Sequence, residues 1–209
     1  PPEDIADVIL GCVNQAGEDN RNVARMALLL AGIPHSVPGE TVNRLCASGM
    51  SAVVQAARAI RCGDADIVVA GGMEHMTRGP WVMSKASKAY ANDQQMYDSS
   101  FGWRFINPRM EEMYGTEAMG KTAENLAELY KISREDQDLF AYRSQMKATK
   151  AQETGRFAEE ITAIPVPVSK TGKILFERDE FIKSNTTLEK LSTLKPAFKK
   201  EGGTVTAGN

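Results

Sequence analysis

The sequence has 209 residues, with 25 lysines and arginines against 27 aspartates and glutamates, which gives a formal net charge of −2. Hydrophobic residues make up 42% and charged residues 25%, a balance that excludes a disordered or fibrous chain. The near-neutral charge argues against nucleic acid or a membrane surface as the main partner, and no apolar run approaches the length of a membrane span, about 20 residues.

The cysteine content and the first residues of the sequence indicate the cellular compartment of the protein. Cys12, Cys46 and Cys62 are too few and too scattered for a disulfide framework, and free thiols indicate a reducing compartment, so we expect a cytoplasmic location. The segment starting at Pro1 has neither the basic nor the apolar region of a signal peptide. Since it also lacks an initiator methionine, we expect the sequence to begin inside a longer chain.

The first third of the sequence alternates between strand and helix patterns. Short apolar runs predict strands at 7–13, 41–45 and 66–70. Between them, helical periodicity predicts a helix that Asn22 caps and a second helix over 50–61. This order predicts an α/β fold with a parallel or mixed sheet and helices on both faces. Three strands leave exposed edges, so we expect the sheet to be part of a larger one.

The remaining sequence has a different character. Residues 77–115 have weak periodicity, and a stretch of this length without clear elements is typical of functional or linking segments. Two helices are predicted over 121–131 and 133–154, the second with Ser133 as its capping residue. Prolines within 161–168 favour an edge strand there, and Lys173 to Phe176 is a candidate for another strand.

Cys46 is the residue that we expect to perform chemistry. It lies where a predicted strand turns into a predicted helix, and ligands of open α/β sheets bind beyond the carboxyl ends of strands. The field of a helix N-terminus favours a thiolate, and the small residues 47–49 allow another group to approach. These features indicate an acyl-accepting nucleophile, with a buried structural cysteine as the alternative. For Cys12, expected within a strand, and Cys62, at a helix end, we favour the structural role.

Ordered motifs along the chain resemble the thiolase family. The motifs lie at residues 43–50, 63–74, 122–125, 155–157 and 203–209. Segments 14–25 and 102–105 are most similar to the subgroup that includes 3-oxoadipyl-CoA and other 3-ketoacyl-CoA thiolases.

The resemblance implies an acyltransferase that exchanges acetyl-CoA and a 3-ketoacyl-CoA by thiolytic cleavage or Claisen condensation. Cys46 would hold the acyl group as a thioester. CoA thioesters would be the substrates, with no permanently bound cofactor and no metal. Lys195 would contact the CoA nucleotide, and Met119 would line the pantetheine tunnel. A solvated surface lysine and a core methionine remain the alternatives for these two positions.

The resemblance also implies a domain organisation. Residues 1–76 would form an incomplete N-terminal half-domain, 77–203 an inserted α+β loop domain that covers CoA, and 204–209 a strand that returns to the first domain. The family's activating histidine, its Asn-Glu-Ala-Phe asparagine and its second cysteine would lie in a C-terminal half beyond Asn209. We therefore expect residues 1–209 alone to be inactive. Family members are commonly dimers or tetramers, so a homodimer or homotetramer is expected, and self-association of the isolated piece.

The sequence departs from the family pattern at two positions, and two alternatives to a thiolase remain open. Ala118 stands where some thiolases have a histidine, and His75 where relatives often have a serine. Both His75 and His35 are interpreted as ordinary loop residues, because neither has metal-ligand spacing to the other histidine or to a cysteine.

The alternatives to a thiolase are a truncated, non-catalytic module that binds CoA or dimerises, and a ketoacyl synthase relative. The long loop domain and the motif at 204–209 argue against the second.

Overall fold

The computed structural model describes residues 1–19, 21–169 and 172–209. Asn20, which belongs to the predicted motif at 14–25, lies outside the described residues. The chain divides into two compact units, residues 1–114 and 115–209, and each is described here by itself.

The first unit contains a parallel sheet of three strands. They are β1 (Asp7–Gly11), β2 (Gly39–Val42) and β3 (Val68–Gly72), in the order β2-β1-β3. Helix α1 (Val23–Leu30) connects β1 to β2, and α2 (Ser48–Cys62) connects β2 to β3. The central strand β1 is hydrogen-bonded on both sides in parallel register, which confirms the predicted α/β organisation of this part of the chain.

The two helices cover opposite faces of the sheet. Val8 and Ile9 are adjacent in β1 and point to opposite faces, because side chains alternate along a strand. Two hydrophobic clusters result, one around α1 and the other around α2. The first contains Val8, Ala24, Leu28 and Val37, and the second contains Ile9, Val42 and Ala52.

Helix α1 begins and ends where the sequence predicts. The Asn22 side chain accepts a hydrogen bond from the Arg25 backbone N–H at 3.1 Å, and its amide donates to the Gly39 carbonyl at 2.7 Å. The cap therefore also ties the start of the helix to the neighbouring strand β2. After the helix, Gly32 has a left-handed conformation with a φ of +78°, as expected for a glycine that terminates a helix.

Several predicted boundaries are displaced. The strand predicted at 41–45 lies at Gly39–Val42, because the residues that follow fold into a turn before α2. The strand predicted at 66–70 lies at Val68–Gly72 and therefore includes Gly71 and Gly72, beyond the predicted end. Helix α2 starts at Ser48, two residues before the predicted start.

The rest of the first unit contains elements that periodicity did not predict. Strands β4 (Trp81–Met83) and β5 (Met96–Asp98) pair in antiparallel register, and α3 (Pro108–Tyr114) follows them. Two single-turn 3₁₀ helices occupy Pro2–Asp4 and Met76–Arg78. Strands of three residues are too short to give a recognisable alternation.

The second unit is mostly helical. Its elements are α4 (Met119–Tyr130), α5 (Arg134–Glu153), a 3₁₀ turn (Arg156–Glu159), β6 (Ile164–Pro167), β7 (Lys173–Phe176) and α6 (Leu188–Ser192). The predicted cap of α5 is confirmed, since the Ser133 hydroxyl accepts the Asp136 backbone N–H at 3.0 Å. The two predicted strands are also confirmed, and they pair with each other in antiparallel register.

A buried carboxylate joins two segments of the second unit that are distant in sequence. Glu124 on α4 is only 3% exposed and accepts the backbone N–H groups of Thr204 at 3.0 Å and Val205 at 2.9 Å. Burial alone would raise the pKa of this carboxyl, but the hydrogen bonds from Val205 and Thr204 outweigh it, and the pKa is lowered. The sequence motifs at 122–125 and 203–209 therefore meet in space.

A second buried carboxylate, that of Asp138, holds Asn209 in place. Asp138 on α5 forms an ion pair with Arg134 at 2.9 Å and accepts the side-chain amide of Asn209 at 2.7 Å. Arg134 also donates to the backbone carbonyls of Leu191 and Leu194. The segment at 204–209 has no strand assignment and lies in the second unit. The predicted domain limits at 76 and 203, and the predicted return strand, stay predictions.

In the part of the chain that is described, none of the helices combines the length and the apolar character that crossing a bilayer requires.

Replacing Glu124 tests whether this carboxylate stabilises the second unit. Gln is uncharged and has one acceptor oxygen instead of two, so it weakens the hydrogen bonds from the Thr204 and Val205 backbone N–H groups and from the Thr204 hydroxyl. We therefore expect Glu124→Gln to lower the free energy of unfolding by roughly 2 kcal/mol at neutral pH. The folded-state pKa is below the unfolded value, so this stabilisation is full above pH of about 4.5 and is lost as the pH falls through the folded pKa. Thermal unfolding of both proteins between pH 3 and 7 measures the difference.

The matched control is Glu128→Gln, one helical turn further along α4. Glu128 is exposed and pairs with Lys199 at 3.0 Å on the surface, so its loss changes stability by less than about 1 kcal/mol. Equal effects of the two substitutions would contradict the proposed role of Glu124.

Candidate active site

Cys46 lies in a tight turn between β2 and α2. Leu45, directly before it, has a left-handed backbone with a φ of +51°, a conformation that is rare for a residue with a branched side chain. The Asn43 side chain stabilises this turn by accepting the Leu45 backbone N–H at 3.0 Å, and its amide donates to the Val13 carbonyl at 3.3 Å. The turn is therefore attached to the segment that follows β1.

The buried Ser48 fixes the other side of the turn. Its hydroxyl accepts the Arg44 backbone N–H at 2.8 Å and donates to the Leu45 carbonyl at 2.6 Å. Cys46 lies between these anchored residues and is exposed. The backbone around the thiol is thus held on both sides while the sulfur stays accessible.

The thiol is positioned at the N-terminus of a 15-residue helix. Helix α2 begins at Ser48, and among the described residues no side chain caps its first turn. The first N–H groups of a helix have no partner within the helix, and they attract negative charge. The predicted location of Cys46 at the head of a helix is thus observed, whereas its role as a nucleophile stays a prediction.

Glycines allow the head of α2 to pack directly on the end of β1 and allow the ends of β1 and β3 to lie close together. A Cβ at Gly11 would lie 2.5 Å from the Gly49 nitrogen of α2, and one at Gly72 would lie 3.1 Å from the carbonyl oxygen of Gly11, its partner across the sheet. A larger residue at Gly11 would push the helix away from β1, and one at Gly72 would crowd the two strands. The carboxyl ends of β1 and β3 and the N-terminus of α2 consequently meet at one place in the first unit.

A cavity of about 630 Å³ opens at this place. Apolar groups supply much of its wall, and a few polar side chains face it from four loops. The lining residues include Gly11, Cys12, Asn14, Leu45, Cys46, Gly49, Met73, Glu74, His75, Met76, Ser99, Ser100 and Arg104. Its size and mixed lining suit part of an organic ligand.

Cys12 lines the same cavity but differs from Cys46 in chemistry. It lies just after β1 rather than within the strand as expected, and it is buried, with the thiol directed toward the Asn14 carbonyl and the Asp19 carboxylate. Burial, followed by the negative charges of Glu74 and Asp19, raises its pKa to about 11. The Cys12 thiol is therefore protonated at neutral pH.

Cys12, Asp19 and Glu74 form the group with the closest resemblance to a metal site. One potential ligand atom from each lies within 4.8 Å of the others. However, Glu74 already accepts the backbone N–H groups of Val13 at 2.7 Å and Asn14 at 3.2 Å, and a protonated thiol is a poor metal ligand. The contacts indicate that these groups hold together the loops that follow β1 and β3.

Cys62 provides an internal comparison with Cys46. It is the last residue of α2 and is exposed. The field at this end of a helix has the opposite sign to the field at Ser48. The two exposed thiols thus occupy opposite ends of one helix.

The two predicted CoA-binding residues lie in the second unit. Met119 is the first residue of α4 and is 81% exposed, and Lys195 is exposed in the segment after α6. A Cβ at Gly120 would lie 2.3 Å from the Phe198 ring, so this segment passes the start of α4. The roles of Met119 and Lys195 stay predictions.

Sequence reasoning did not identify three of the charged or titratable residues in the cavity wall. His75 was expected to be an ordinary loop residue, and no role was assigned to Glu74 or Arg104 singly, but all three line the cavity with Cys46. The available signal was that Glu74 and His75 come soon after an apolar strand of the sheet, where ligands of parallel sheets bind. Arg104 had no such signal, because it lies in a segment without periodicity.

Comparisons with known proteins agree on one family. The family model described as "Thiolase, N-terminal domain" matches residues 1–209. The chain is 55% identical over 207 residues to a 3-oxoadipyl-CoA/3-oxo-5,6-dehydrosuberyl-CoA thiolase of Escherichia coli, which covers 99% of this chain and 51% of the relative. It is 57% identical over 204 residues to a beta-ketoadipyl-CoA thiolase of Pseudomonas aeruginosa, covering 97% of this chain and 50% of the relative. The chain belongs to the thiolase family.

A solved structure of similar fold supports the family assignment. The crystal structure of the acetyl-CoA acetyltransferase of Bacillus anthracis matches 100% of this chain and 51% of that chain, with a TM-score of 0.86 and 39% identity. The chain spans about half the length of the curated relatives and of this structure.

Gly11 offers a test of how the head of α2 is positioned. In Gly11→Ala the new methyl group would clash with backbone atoms of Ser48 and Gly49 that cannot move independently. We expect the free energy of unfolding to fall by about 1–3 kcal/mol and the alkylation rate of Cys46 to change. Thermal unfolding and iodoacetamide labelling of the protein that contains this chain measure both effects.

The control is Gly49→Ala, on the helix side of the same contact. The nearest atom to a Cβ at Gly49 is the Gly71 carbonyl oxygen at 3.9 Å, so the methyl group fits. A loss of stability as large as that of Gly11→Ala would show that steric crowding is not the cause.

Proposed function

We propose that this chain is the N-terminal part of a thiolase that exchanges acetyl-CoA and a 3-ketoacyl-CoA, with Cys46 as the acyl-accepting nucleophile. The observation that carries the proposal is the position of Cys46. An exposed thiol, held in a left-handed turn at the N-terminus of α2, lines a cavity at the carboxyl ends of β1 and β3. Membership of the thiolase family supports the choice of substrates.

In the cleavage direction, the Cys46 thiolate attacks the 3-keto carbon of the substrate. A C–S bond forms, and the carbonyl electron pair moves to oxygen, where N–H groups of the first turn of α2 favour the negative charge. The oxyanion collapses, the bond between C2 and C3 breaks, and the electron pair leaves on C2 of acetyl-CoA. A proton neutralises this carbanion, and the resemblance assigns its donor to the C-terminal half. The shortened acyl group remains on Cys46 as a thioester.

The second step regenerates the thiolate. The thiolate of free CoA attacks the thioester carbonyl, and Cys46 leaves with the electron pair of its C–S bond. Sulfur suits both steps, because it is a strong nucleophile as a thiolate and also a good leaving group. The reverse sequence is a Claisen condensation of two CoA thioesters.

The surroundings of the other two cysteines favour Cys46 over them. Cys12 is buried, and its pKa of about 11 leaves it protonated at neutral pH. Cys62 is exposed but lies outside the cavity lining, at the end of α2 that repels anions.

The substrate proposal can be made more specific. The two relatives described above, at 55% and 57% identity, are named for 3-oxoadipyl-CoA or beta-ketoadipyl-CoA thiolase activity. We therefore propose a 3-ketoacyl-CoA with a short dicarboxylic acyl chain as the substrate. Within this proposal, residues 77–203 form the loop domain that covers CoA, Met119 lines the pantetheine path and Lys195 contacts the nucleotide. CoA and its thioesters are substrates rather than resident cofactors.

The assembly and the location belong to the same proposal. Large apolar side chains are exposed in both units, among them Leu30 at 89% and Phe140 at 79%, and exposed apolar surface is typical of faces that other chains or domains cover. A homodimer or homotetramer in the cytoplasm is consistent with this surface and with the free thiols. Residues 204–209 are proposed to lead into the half-domain of the complete protein.

Alkylation rates test the reactivity of Cys46. In the complete protein at pH 7, we expect iodoacetamide to label Cys46 at least about tenfold faster than Cys62, because only Cys46 lies at the positive end of α2. Cys12 is expected to be the slowest, since it is buried and protonated. Peptide mass spectrometry over a time course measures all three rates. Equal rates at Cys46 and Cys62 would contradict the proposal.

Trapping the thioester tests the chemistry directly. We expect incubation of the complete protein with acetyl-CoA to add the mass of one acetyl group to the peptide that contains Cys46. Cys46→Ser is expected to remove this adduct and to lower kcat by at least about a thousandfold, as loss of a nucleophile does in other enzymes. The control Cys62→Ser retains both. Thiolysis by the Cys46→Ser protein at the normal rate would refute the assignment.

A further inference from the structure

Arg104 is a cation in the wall of the cavity that contains Cys46. It is partly buried, and a guanidinium nitrogen donates to the Ser99 carbonyl at 3.2 Å. Ser99 is itself buried, and its hydroxyl accepts the Asn14 side-chain amide at 2.9 Å and donates to the Pro80 carbonyl at 2.6 Å. The guanidinium is therefore attached to a fixed part of the first unit.

The backbone on both sides of Arg104 is also constrained. Gly102 and Phe105 both have left-handed conformations, with φ values of +70° and +52°. The Phe105 ring packs edge-on against Tyr97 of β5, with ring centroids 5.0 Å apart. The backbone position of Arg104 is therefore set by the turns on both sides of it.

The positive charge of Arg104 is not neutralised locally. Within the described ranges, Arg104 forms no ion pair with a carboxylate, whereas Arg78 and Arg134 each pair with one and Arg156 pairs with two. Of the five N–H donors of a guanidinium, the contact with Ser99 uses one. Glu74, the carboxylate in the same cavity wall, already accepts two backbone N–H groups.

We propose that Arg104 binds the terminal carboxylate of a dicarboxylic 3-ketoacyl-CoA and thereby selects it over the uncharged chain of the same length. This inference rests on the proposed function, since it places the acyl chain of that substrate in this cavity. In such a substrate, methylene groups separate the keto carbon from the carboxylate. The keto carbon meets Cys46, the methylenes pass the apolar wall, and the guanidinium donates to the carboxylate, a geometry for which arginine is well suited.

A purely structural role predicts a different outcome. If Arg104 only held the turn at 99–105 through the Ser99 carbonyl, its loss would affect every substrate alike. A role in recognition predicts a loss that is confined to the substrates with a terminal carboxylate. A matched pair of substrates separates the two roles.

The experiment compares 3-oxoadipyl-CoA with 3-oxohexanoyl-CoA, which ends in a methyl group, in the complete protein. For Arg104→Met we expect kcat/KM to fall by about 30- to 100-fold with 3-oxoadipyl-CoA, the effect of one charge-assisted contact, and to change less than about threefold with 3-oxohexanoyl-CoA. Arg104→Lys restores part of the preference, because it keeps the charge but not the paired donors. The control Arg109→Met, on α3 and outside the cavity lining, retains both rates. Equal losses on both substrates, or no loss, would overturn the inference.

A binding measurement separates this inference from the proposed reaction. S-(5-carboxypentyl)-CoA and S-hexyl-CoA are thioethers that cannot be cleaved and cannot acylate Cys46, so protection of Cys46 against iodoacetamide reports occupancy without turnover. We expect S-(5-carboxypentyl)-CoA to protect at concentrations at least about tenfold lower than S-hexyl-CoA, and Arg104→Met to abolish the difference. If this pattern is observed but the protein has no thiolysis activity, the proposed reaction is refuted and the carboxylate-binding role of Arg104 is supported. If thiolysis occurs but neither protection nor reaction rate depends on the terminal carboxylate, the role of Arg104 is refuted and the proposed reaction is supported.

Discussion

The contact between the N-terminus of α2 and the ends of β1 and β3 determines the site in the first unit. It requires that Gly11 has no side chain, because backbone atoms of Ser48 and Gly49 occupy the space of a Cβ there. With the helix held this close, the turn that contains Cys46 projects beyond the strand ends. The hydrophobic clusters on both faces then stabilise the same arrangement. The position of Cys46 and the packing of α2 on the sheet thus both depend on the close contact between β1 and the start of α2.

In the second unit, buried carboxylates hold distant segments together, as the hydrophobic clusters do in the first unit. Glu124 accepts two backbone N–H groups of the last segment, and Asp138 joins α5 to Asn209. A desolvated carboxylate is costly unless such donors surround it. The motifs at 122–125 and 203–209 that indicated the family are therefore also the parts of the sequence that fix this unit.

The sequence predicted the elements whose signals are local. Asn22 and Ser133 cap helices through backbone N–H groups three residues away, and the position of Cys46 before a helix followed from the same kind of pattern. The end of β2 was predicted wrongly, because side-chain contacts of Asn43 and Ser48 create the turn. Arg104 was missed as a cavity residue, since only long-range contacts bring the loop at 99–104 beside Cys46. His75 was interpreted as an ordinary loop residue, although its position soon after a predicted strand was a signal that could have identified it.

The unequal environments of the two cavity thiols have a consequence for oxidative damage. Peroxide reacts with thiolates, and its attack on a protonated, enclosed thiol is slow. Cys12, with its raised pKa and its hydrogen bond to Asp19, is protected from sulfenic acid formation, whereas the solvent-facing sulfur of Cys46 has no such shield. Oxidants would therefore modify Cys46, the proposed nucleophile, first and leave the interior cysteine, and the packing around it, chemically unchanged.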